Sequence, residues 1–341
     1  MSKLTIGLDT AKSVFHLVFK NENGRVIKKK KLKRHQLLSF FANTEISIVA
    51  LEACGASHYW ARQIAAPGHD VKPIAPQYVT AYRKGNKSDY NDATAIAEAA
   101  SREDMRFVPV KTQEQQDIQL LHRLRERLVG QRTALSNQVR GLLAEYGIVF
   151  PKGISQLRAS LIDVIEDADN GLSEMCREEF HELWQEFCVL EERISRLDRK
   201  MHDVVKENDV CRRLTTMTGI GPVIASAMFA AIGQGEAFQS GRHVAAWLGL
   251  VPRQHSTGDK TQLFGITKRG NTYLRTQLIN GARAALRHIG KKDDKVSQWC
   301  RGCLERMNFN KACVALVNKM ARMAWAMLHH QTDYLEKKVV V

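Results

Sequence analysis

The hydrophobic positions of the first 110 residues change period several times. Short β-rich apolar runs, separated by turn residues, predict three strands in a meander and two further buried strands. The strand runs are "LTIGLDT", "SVFHLVFK", "GRVIKKKK", "EISIVALEAC" and "HDVKPIAP". Helical periodicity appears in "HQLLSFFANT", "SHYWARQIAAPG" and "SDYNDATAIAEAASRED", where Gly68 is placed as a stop signal and Ser88 as an N-cap. The pattern predicts an α/β domain with a mixed sheet over residues 1–110.

Residues 111–210 have helical periodicity throughout. A heptad seam is formed by Leu183, Phe187, Leu190, Ile194, Leu197, Met201 and Val204. An earlier segment follows the same register, with Gln131 and Gln138 interrupting it, through Leu121, Leu124, Leu128, Leu135 and Leu142. The seams fit an antiparallel hairpin within one chain and an intermolecular coiled coil, and both can hold at once. We expect this region to be a helical spacer and an oligomerisation region.

The segment 211–330 is predicted to be a mainly α-helical domain, followed by a tail at 331–341. It begins with "MTGIGPVIASAMFAAIG", a Gly-Ile-Gly turn between two helical stretches. The turn resembles a helix–hairpin–helix motif, which offers backbone N–H groups to a phosphate. An ordinary helix–turn–helix corner is the alternative. Further on, "LVPRQHSTGDK" (Leu250–Lys260) is expected to be a loop.

Charge is distributed unevenly along the 341 residues, whose formal net charge is +15. Gly241–Lys292 contains ten Lys or Arg against one acid, whereas Ser160–Val210 contains fifteen acids against six bases. An excess of positive charge favours a polyanionic partner, first of all nucleic acid. A second basic cluster is predicted to contact the RNA or DNA backbone through Lys28, Lys29, Lys30, Lys31, Lys33 and Arg34.

Other classes of protein fit the sequence less well. The longest apolar run, Val223–Gly233, is shorter than the about 20 residues that cross a bilayer, and the first ten residues do not resemble a signal peptide. The seven cysteines are scattered, and Cys300 and Cys303 make only half of a zinc site. We expect a cytoplasmic protein of a reducing compartment, without a membrane partner.

Four carboxylates in the first domain have unusual surroundings. Asp9 lies within an apolar strand, Glu52 ends another, and Asp89 and Asp92 share one face of a predicted helix. Taken singly, they fit strand-end or helix-dipole roles. Together they could bind Mg²⁺, which prefers carboxylate and phosphate oxygens. The acids that we expect to be merely solvated are Glu98, Glu103 and Asp104.

These motifs resemble a known family. The strand Asp, "LEACG" and "KSDYNDATAIAEAA" look like a RuvC-like (RNase H-like) DEDD domain, and the C-terminal blocks are similar to a transposase domain. Those blocks are "GIGPVIASAMFAAIG", "FQSGRHVAAWLGLVPRQHSTG" and "ITKRGNTYLRTQLINGARAAL". The family is that of the DEDD transposases of bacterial insertion sequences, which are bridge-RNA-guided recombinases and include the pilin-gene inverting proteins. "PRQHSTG…KRGNTYLR" resembles the subgroup whose guide is called a seek RNA.

The resemblance implies a fold, a reaction and partners. It implies a tetrameric recombinase in which Asp9, Glu52, Asp89 and Asp92 bind Mg²⁺ beside a scissile phosphate. A serine from the C-terminal domain attacks that phosphate and forms a 5′-phosphoserine link. A structured non-coding guide RNA pairs with donor and target double-stranded DNA, and the site combines acids of one protomer with the serine of another.

The nucleophile has two candidates. Aligned forward from "PR", Thr257 takes the place of the family serine, whereas aligned backward from "TKRG", Ser256 takes it. We favour Ser256, because an unbranched hydroxyl is less crowded in an in-line attack; both hydroxyls shaping only a turn is the alternative. His255 is a weaker candidate for a base. The predicted phosphate clamps are Arg253, Lys268, Arg269 and Arg275.

Two other functions remain open from the sequence alone. The chain could be a metal-dependent nuclease or junction resolvase in which water attacks the phosphate. It could also be a non-catalytic nucleic-acid-binding scaffold, against which the presence of all four acids argues. Tyr82 and Arg83 could stack on an unpaired base, with a plain loop as the alternative.

Overall fold

The computed structural model describes residues 4–86, 88–258, 260–291 and 294–335. The chain forms two compact units, Met1–Thr112 and Gln113–Val341. The further division of the second unit into a helical middle (111–210), a C-terminal domain (211–330) and a tail stays a prediction.

The first unit has five strands and four α-helices among its described residues. The strands are β1 (Thr5–Asp9), β2 (Val14–Lys20), β3 (Val26–Lys33), β4 (Ile48–Glu52) and β5 (Asp70–Ile74). The helices are α1 (Leu37–Ala42), α2 (Ser57–Ala65), α3 (Pro76–Thr80) and α4 (Asp89–Ala100). The three-strand meander, the two later strands and the three predicted helices are confirmed, and α3 is a short additional helix.

The sheet has the strand order β3-β2-β1-β4-β5. The first three strands are antiparallel, and β4 and β5 run parallel to β1, so the predicted mixed sheet is confirmed. One face, with Ile6 and Leu8, packs against Phe41 of α1 and Trp60 of α2. On the other face, Ala50 packs with α4 and α3. Strand alternation therefore divides this unit into three layers.

Helix α4 begins where the sequence predicts. The Ser88 hydroxyl accepts a hydrogen bond from the backbone N–H of Asn91, as expected of an N-cap. Farther along, Glu98 accepts a hydrogen bond from the buried Lys20 and another from Arg102. The prediction that Glu98 is merely solvated is wrong. Strand β2 buries the Lys20 ammonium group, and this charge needs an acidic partner.

The second unit is mainly helical, with one two-stranded sheet among its described residues. Its first helices are α5 (Gln113–Ala144), α6 (Ile154–Glu166), α7 (Glu174–Glu207), α8 (Asp209–Thr215), α9 (Pro222–Ile232) and α10 (Gly241–Trp247). A hairpin follows, formed by β6 (Pro252–Thr257) and β7 (Lys260–Ile266). The last helices are α11 (Thr272–Arg287), α12 (Lys295–Arg306) and α13 (Phe309–His330). Among the described residues, no helix is both long and apolar enough to span a membrane.

Helices α5 and α7 pack antiparallel within the chain. Arg125 binds Asp198, with 2.5 Å between Nε and Oδ1, while the later Arg132 binds the earlier Glu191. The intrachain hairpin is therefore confirmed, and an additional intermolecular coiled coil stays a prediction. Buried seam residues of both helices, together with those of α6, form one apolar core.

The predicted seam drifts at its ends. In α7 the buried residue of the last turn is Val205, and Val204 is only partly buried. In α5, Leu142 is 44% exposed, whereas Leu143 is fully buried. A straight helix has 3.6 rather than 3.5 residues per turn, so a strict heptad pattern leaves the contact face over several turns.

Cys300 and Cys303 lie in the core formed by the helices of the C-terminal part. Burial raises the pKa of Cys300 to about 11, and Cys303 adds to this effect. A thiol that stays protonated and faces apolar neighbours packs as a small hydrophobic side chain. This agrees with two cysteines sharing a helix face rather than half of a zinc site.

Candidate catalytic and nucleic-acid-binding sites

The first site lies at the edge of the sheet where β1 and β4 end. Leu8 and Leu51 are partners in the parallel register, so the residues that follow them, Asp9 and Glu52, leave the sheet side by side. Both acids are half-buried. Two strand ends of neighbouring parallel strands thus carry two of the four predicted acids to one edge.

Helix α4 brings the other two acids to the same layer. Asp89 and Asp92 occupy its first turn. Gly7 of β1 allows the approach, because a Cβ there would lie 2.7 Å from the backbone nitrogen of Ala97 and closer still to the Ala93 carbonyl oxygen. Since Gly7 and Asp9 point to the same face of the strand, the helix N-terminus lies beside Asp9.

The four acids do not form one uniform cluster. One ligand atom each of Asp9, Asp89 and His16 lies within 4.8 Å of the others, and Glu52 and Asp92 are outside this group of described residues. The Asp92 carboxylate lies 3.5 Å from a guanidinium nitrogen of Arg83. Arg83 therefore pairs with an acid, and the suggested stacking of Tyr82 and Arg83 on a base stays a prediction.

His16 was not identified from the sequence. It is the register partner of Asp9 on β2, is only 7% exposed, and has its Nδ1 atom 3.3 Å from an Asp89 carboxylate oxygen. Its ring contacts the ring of Tyr90 edge-on, with 4.8 Å between centroids. The available signal was a polar residue in the apolar run "VFHLVFK", on the strand predicted to neighbour that of Asp9.

These groups fit a divalent cation. Carboxylate oxygens are the ligands of hard cations such as Mg²⁺, and imidazole nitrogen is a ligand of the transition metals. The exposed Asp89 leaves one side of the group open to solvent and to a phosphate. Asp9, Asp89 and His16 would hold such an ion, with Glu52 at the same sheet edge.

The basic run lies on β3, the edge strand of the sheet. Lys31 is the register partner of His16, and Lys29 lies 5.5 Å from the centroid of the Tyr90 ring. Both lysines therefore lie on the face of the sheet that carries Asp9 and His16. Lys28 and Lys30 point to the opposite face, over Phe19 and Phe40. The predicted nucleic-acid-binding run is therefore split by strand alternation into two rows.

At the ends of these rows, Lys33 is exposed and Arg34 packs over the Trp60 ring, 4.8 Å from its centroid. Only the row with Lys29 and Lys31 is on the face of the candidate metal site. A phosphate next to that site would meet those two side chains first.

The second site is the segment that contains Ser256 and Thr257. The prediction that this segment is a loop is wrong, because β6 and β7 pair as an antiparallel hairpin in which Ser256 is opposite Thr261. Both strands are exposed. The Gly258 backbone has a φ of 56° in the hairpin turn, a conformation that favours glycine. Exposed strands without a buried face lack the apolar alternation from which strands are predicted.

The hairpin separates the two candidate hydroxyls. The Ser256 Oγ accepts a hydrogen bond of 2.7 Å from Gln254 and lies 3.4 Å from the Thr261 hydroxyl, so these three share a face. His255 and Thr257 lie on the other face, where the His255 ring contacts Phe264. A histidine on the opposite face cannot take the proton of Ser256 in this conformation.

The base of the hairpin is held against α10 by close backbone contacts. A Cβ at Gly270 would overlap the carbonyl oxygen of Trp247, and one at Gly249 would lie 2.5 Å from the backbone nitrogen of Arg269. Lys268 between them adopts a φ of 55°, which is uncommon outside glycine. These contacts fix the direction of the "TKRG" turn, where the Lys268 and Arg269 side chains are exposed.

The predicted phosphate clamps divide into two kinds. Arg253, Lys268 and Arg269 are exposed, as contact with a phosphate requires. Arg275 is only 7% exposed, and its guanidinium donates hydrogen bonds of 2.9 Å to the carbonyl oxygens of Leu248 and Arg269. We therefore assign Arg275 a structural role, because its donors are satisfied within the unit.

A basic groove of about 1010 Å³ opens beside the hairpin, and Pro252 and Ile266 at the hairpin base line it. Its other charged and aromatic lining residues are Arg242, Lys311, Lys319, Arg322, Trp299 and Trp325. No acid is among the described residues that line it. The groove was missed in the sequence because its cations come from two helices, α10 and α13, that are far apart in the chain.

The Gly-Ile-Gly turn connects α8 and α9. Gly219 has a φ of 88°, and a Cβ on Gly281 of α11 would overlap the Gly219 carbonyl oxygen. The turn therefore packs closely on α11. Thr218, Gly219 and Gly221 line a shallow depression there, which is where the predicted phosphate contact would lie.

Comparisons with known proteins identify the family. A family model described as "Transposase IS116/IS110/IS902 family" matches residues 211–298, and a model named DEDD_Tnp_IS110, described as "Transposase", matches residues 6–148. A probable family 20 transposase of Pseudomonas aeruginosa is 48% identical over 335 residues, covering 98% of this chain and 99% of the relative.

Two other relatives are informative. The transposase for insertion sequence element IS1111A of Coxiella burnetii is 44% identical over 96% of this chain and 90% of its own length. A pilin gene-inverting protein of Moraxella bovis is 25% identical over 76% of this chain and 75% of its own length. The match to residues 6–148 begins on the strand of Asp9, and the match to residues 211–298 includes the hairpin of Ser256. The chain therefore belongs to the IS116/IS110/IS902 family of DEDD transposases, which catalyse the transposition of insertion sequences.

Proposed function

We propose that this transposase is an RNA-guided recombinase that cuts and rejoins donor and target DNA through a covalent 5′-phosphoserine intermediate. Ser256 is the nucleophile, and the carboxylates of Asp9, Glu52, Asp89 and Asp92 form the cation-binding side of the site. The observation that carries the proposal is an exposed serine hydroxyl on a hairpin whose lower end carries lysine and arginine side chains. The same chain also has a sheet edge with clustered carboxylates.

The position of Ser256 favours it over Thr257. Its Oγ accepts a hydrogen bond from Gln254 and lies next to the Thr261 hydroxyl, so the orientation of the hydroxyl group is set by its neighbours. Arg253, Lys268 and Arg269 are exposed on the same hairpin and the turn at its base. Cations at these positions would bind the phosphate oxygens on either side of the attacked linkage.

In the proposed reaction, each step replaces one phosphodiester linkage with another. Ser256 Oγ forms a bond to phosphorus as the bond from phosphorus to the 3′ oxygen breaks. The serine proton is released, and the departing 3′ oxygen takes up a proton to become a free hydroxyl. When a 3′ hydroxyl of the exchanged strand attacks the phosphoserine, the same steps run in reverse. No nucleotide cofactor is needed, because one ester linkage replaces another.

The acidic edge would hold a cation, and that cation would neutralise the charge that develops on the phosphate. When bound, Mg²⁺ supplies charge neutralisation at the phosphoryl oxygens. Asp9 and Asp89 orient that cation, and Lys29 and Lys31 on the same face bind the adjacent phosphates. We propose that in a tetramer the acids of one protomer work with the serine of another.

Guidance by RNA agrees with the kinds of basic surface that this chain has. The cations of β3, the hairpin base and the groove are suited to phosphate contacts, which carry no sequence information. A structured RNA pairing with both DNAs would supply the sequence information, and the protein would recognise duplex shape.

The test is reconstitution of strand exchange with the full-length protein, the RNA transcribed from the flank of its element, donor and target DNA, and Mg²⁺. We expect a DNA–protein adduct on a denaturing gel, with the phosphate mapped to Ser256 by mass spectrometry. Ser256→Ala should lower exchange by roughly 10³-fold or more, as loss of a nucleophile does. Thr257→Ala should retain most activity, which makes it the matched hydroxyl control on the same strand.

Each alternative gives a different result. Cleavage that leaves no protein attached and survives Ser256→Ala and Thr257→Ala would indicate a nuclease in which water attacks. An adduct on Thr257 would move the nucleophile to the other face of the hairpin. DNA binding without any cleavage, unaltered by Asp9→Asn, would indicate a scaffold. Exchange that needs no RNA would contradict guidance while leaving the serine chemistry in place.

A further inference from the structure

We infer that the imidazole of His16 is a direct ligand of the cation bound by Asp9 and Asp89, and that this nitrogen ligand makes the site prefer Mn²⁺ to Mg²⁺. The inference rests on the proposed metal-dependent function and specifies the composition of its metal site. It adds a fifth residue to the four acids.

The geometry points to His16 in two independent ways. Its side chain is more than nine-tenths buried, and Nδ1 faces the acids, 3.3 Å from an Asp89 oxygen. Asp9 is its direct partner in the register of β1 and β2, so the two side chains leave the sheet on one face. The three ligand atoms lie within 4.8 Å of one another, which is close enough for one ion to contact all of them.

The buried nitrogen lacks a hydrogen bond that would explain its position. Among the described residues, the Nδ1 atom of His16 has no partner in hydrogen-bonding geometry, although the Asp89 oxygen is at ion-pair distance. A buried polar atom without a hydrogen bond destabilises the folded protein, because it has given up its bond to water without a replacement. A metal ion accepting the nitrogen lone pair would remove that cost.

The ring is already oriented for such a bond. Tyr90 holds it edge-on from α4, at 4.8 Å between centroids and 76° between planes. A ligand whose direction is fixed before the ion binds loses little rotational freedom on binding. The other explanation is a salt bridge between a protonated His16 and Asp89 that involves no metal.

The chemical consequence is metal preference. Mg²⁺ takes oxygen ligands almost exclusively, whereas Mn²⁺ accepts imidazole nitrogen together with carboxylates. A site with two carboxylates and one imidazole should therefore bind Mn²⁺ more tightly than a site with carboxylates alone. Mg²⁺ would still bind through Asp9 and Asp89, so both ions would support the reaction.

The experiment measures metal binding to the full-length protein without nucleic acid. Calorimetric titration with Mn²⁺ and with Mg²⁺ gives the ratio of affinities, and pulsed electron paramagnetic resonance of bound Mn²⁺ detects a directly coordinated nitrogen. We expect a nitrogen coupling in the wild type and a Mn²⁺ preference of at least about tenfold. His16→Phe keeps the ring that packs on Tyr90, and should lose the coupling and most of the preference.

Two controls keep the test independent of folding. His35→Phe removes an exposed histidine of the same unit and should leave both measurements unchanged. Wild-type protein labelled with ¹⁵N-histidine should show the coupling change from ¹⁴N to ¹⁵N, without any substitution.

The outcomes separate this inference from the proposed function. Mn²⁺ binding that is lost in Asp9→Asn but shows no histidine nitrogen coupling would overturn the inference and leave the acidic site in place. Equal Mn²⁺-to-Mg²⁺ affinity ratios in wild type and His16→Phe would also overturn it. Metal binding that is indifferent to Asp9→Asn would contradict the inference and the metal part of the proposed function together.

Discussion

At the scale of single residues, a buried histidine links three helices of the second unit. His122 of α5 lies 2.9 Å from the Tyr273 hydroxyl and 3.1 Å from the Ser226 hydroxyl, on α11 and α9. Burial lowers the pKa of His122 to about 4, and the positive charge of Arg125 adds to the effect. His122 is therefore neutral in the folded protein near neutral pH.

This pKa predicts a loss of stability in mild acid. In the unfolded chain His122 titrates near its ordinary value of 6.5, whereas in the folded protein it titrates at about 4. Between these pH values only the unfolded state binds the proton. The contribution of neutral His122 to the free energy of unfolding is therefore fully present above pH 6.5, and it decreases as the pH drops toward 4. The loss is on the order of 3 kcal/mol.

Denaturant unfolding of wild type and His122→Gln across this pH range measures the effect. The variant should be less stable at pH 7, because packing and hydrogen bonds change, but should have a shallower dependence on pH. Identical pH slopes for the two proteins would contradict the assignment to His122.

At the scale of elements, the acidic site depends on how closely α4 approaches β1. That approach is possible only because Gly7 has no side chain. The hairpin of Ser256 depends in the same way on Gly249 and Gly270, which admit the backbone of neighbouring segments. Both candidate sites are thus positioned by backbone-to-backbone contacts at glycines.

Replacing Gly7 with Ala should push α4 away from the sheet. The new methyl group would meet the Ala93 carbonyl and the Ala97 nitrogen, which are backbone atoms that can move only with the helix. We expect a loss of roughly 1–3 kcal/mol in the free energy of unfolding, as for other overpacked cores, and weaker metal binding as Asp89 moves from Asp9. Denaturant unfolding and Mn²⁺ titration measure the two effects.

Gly130→Ala is the matched control. Gly130 lies within α5, where a Cβ would meet nothing within 4 Å. Alanine should there raise stability by about 0.5–1 kcal/mol, because it favours the helix. A Gly7→Ala protein with unchanged stability and metal affinity would show that α4 has room to spare.

At the scale of the whole molecule, the charge of +15 is concentrated on particular surfaces. The groove beside the hairpin combines Arg242, Lys311, Lys319 and Arg322 with two tryptophans, and the Lys319 ammonium lies 4.3 Å from the centroid of the Trp299 ring. Cations beside aromatic rings suit a nucleic-acid strand, whose phosphates bind the cations and whose bases stack. On α7, two acids instead form ion pairs with α5, Glu191 with Arg132 and Asp198 with Arg125.

We predict that Lys319→Glu together with Arg322→Glu weakens binding of DNA and guide RNA at least about tenfold at moderate salt. The dependence of log K on log salt should decrease by about 0.9 for each lost phosphate contact with duplex DNA. Fluorescence anisotropy over a range of salt concentrations measures both quantities. Lys200→Glu together with Lys206→Glu, two exposed positions on α7, is the control with the same change in net charge. If the control variant loses as much affinity as the groove variant, the groove is not a specific contact surface.

The sequence by itself determined most of the secondary structure. Strands β1 to β5 were readable from apolar runs, α4 from its Ser88 cap, and helices α5 and α7 from their seams, since these signals depend on residues near one another in the chain. The family motifs also placed Asp9, Glu52, Asp89 and Asp92 in one domain. These features follow from local periodicity and from backbone preferences, which act before any tertiary contact forms.

Only the tertiary structure decided which side chains meet. The pairing of β2 with β1 placed His16 opposite Asp9, the buried Lys20 engaged Glu98 in an ion pair, and backbone carbonyls occupied Arg275. The exposed hairpin formed without an apolar pattern, through cross-strand backbone hydrogen bonds. The physical reason is that partners distant in the chain are selected by strand register and close helix packing, and neither has a signature in the local order of polar and apolar residues.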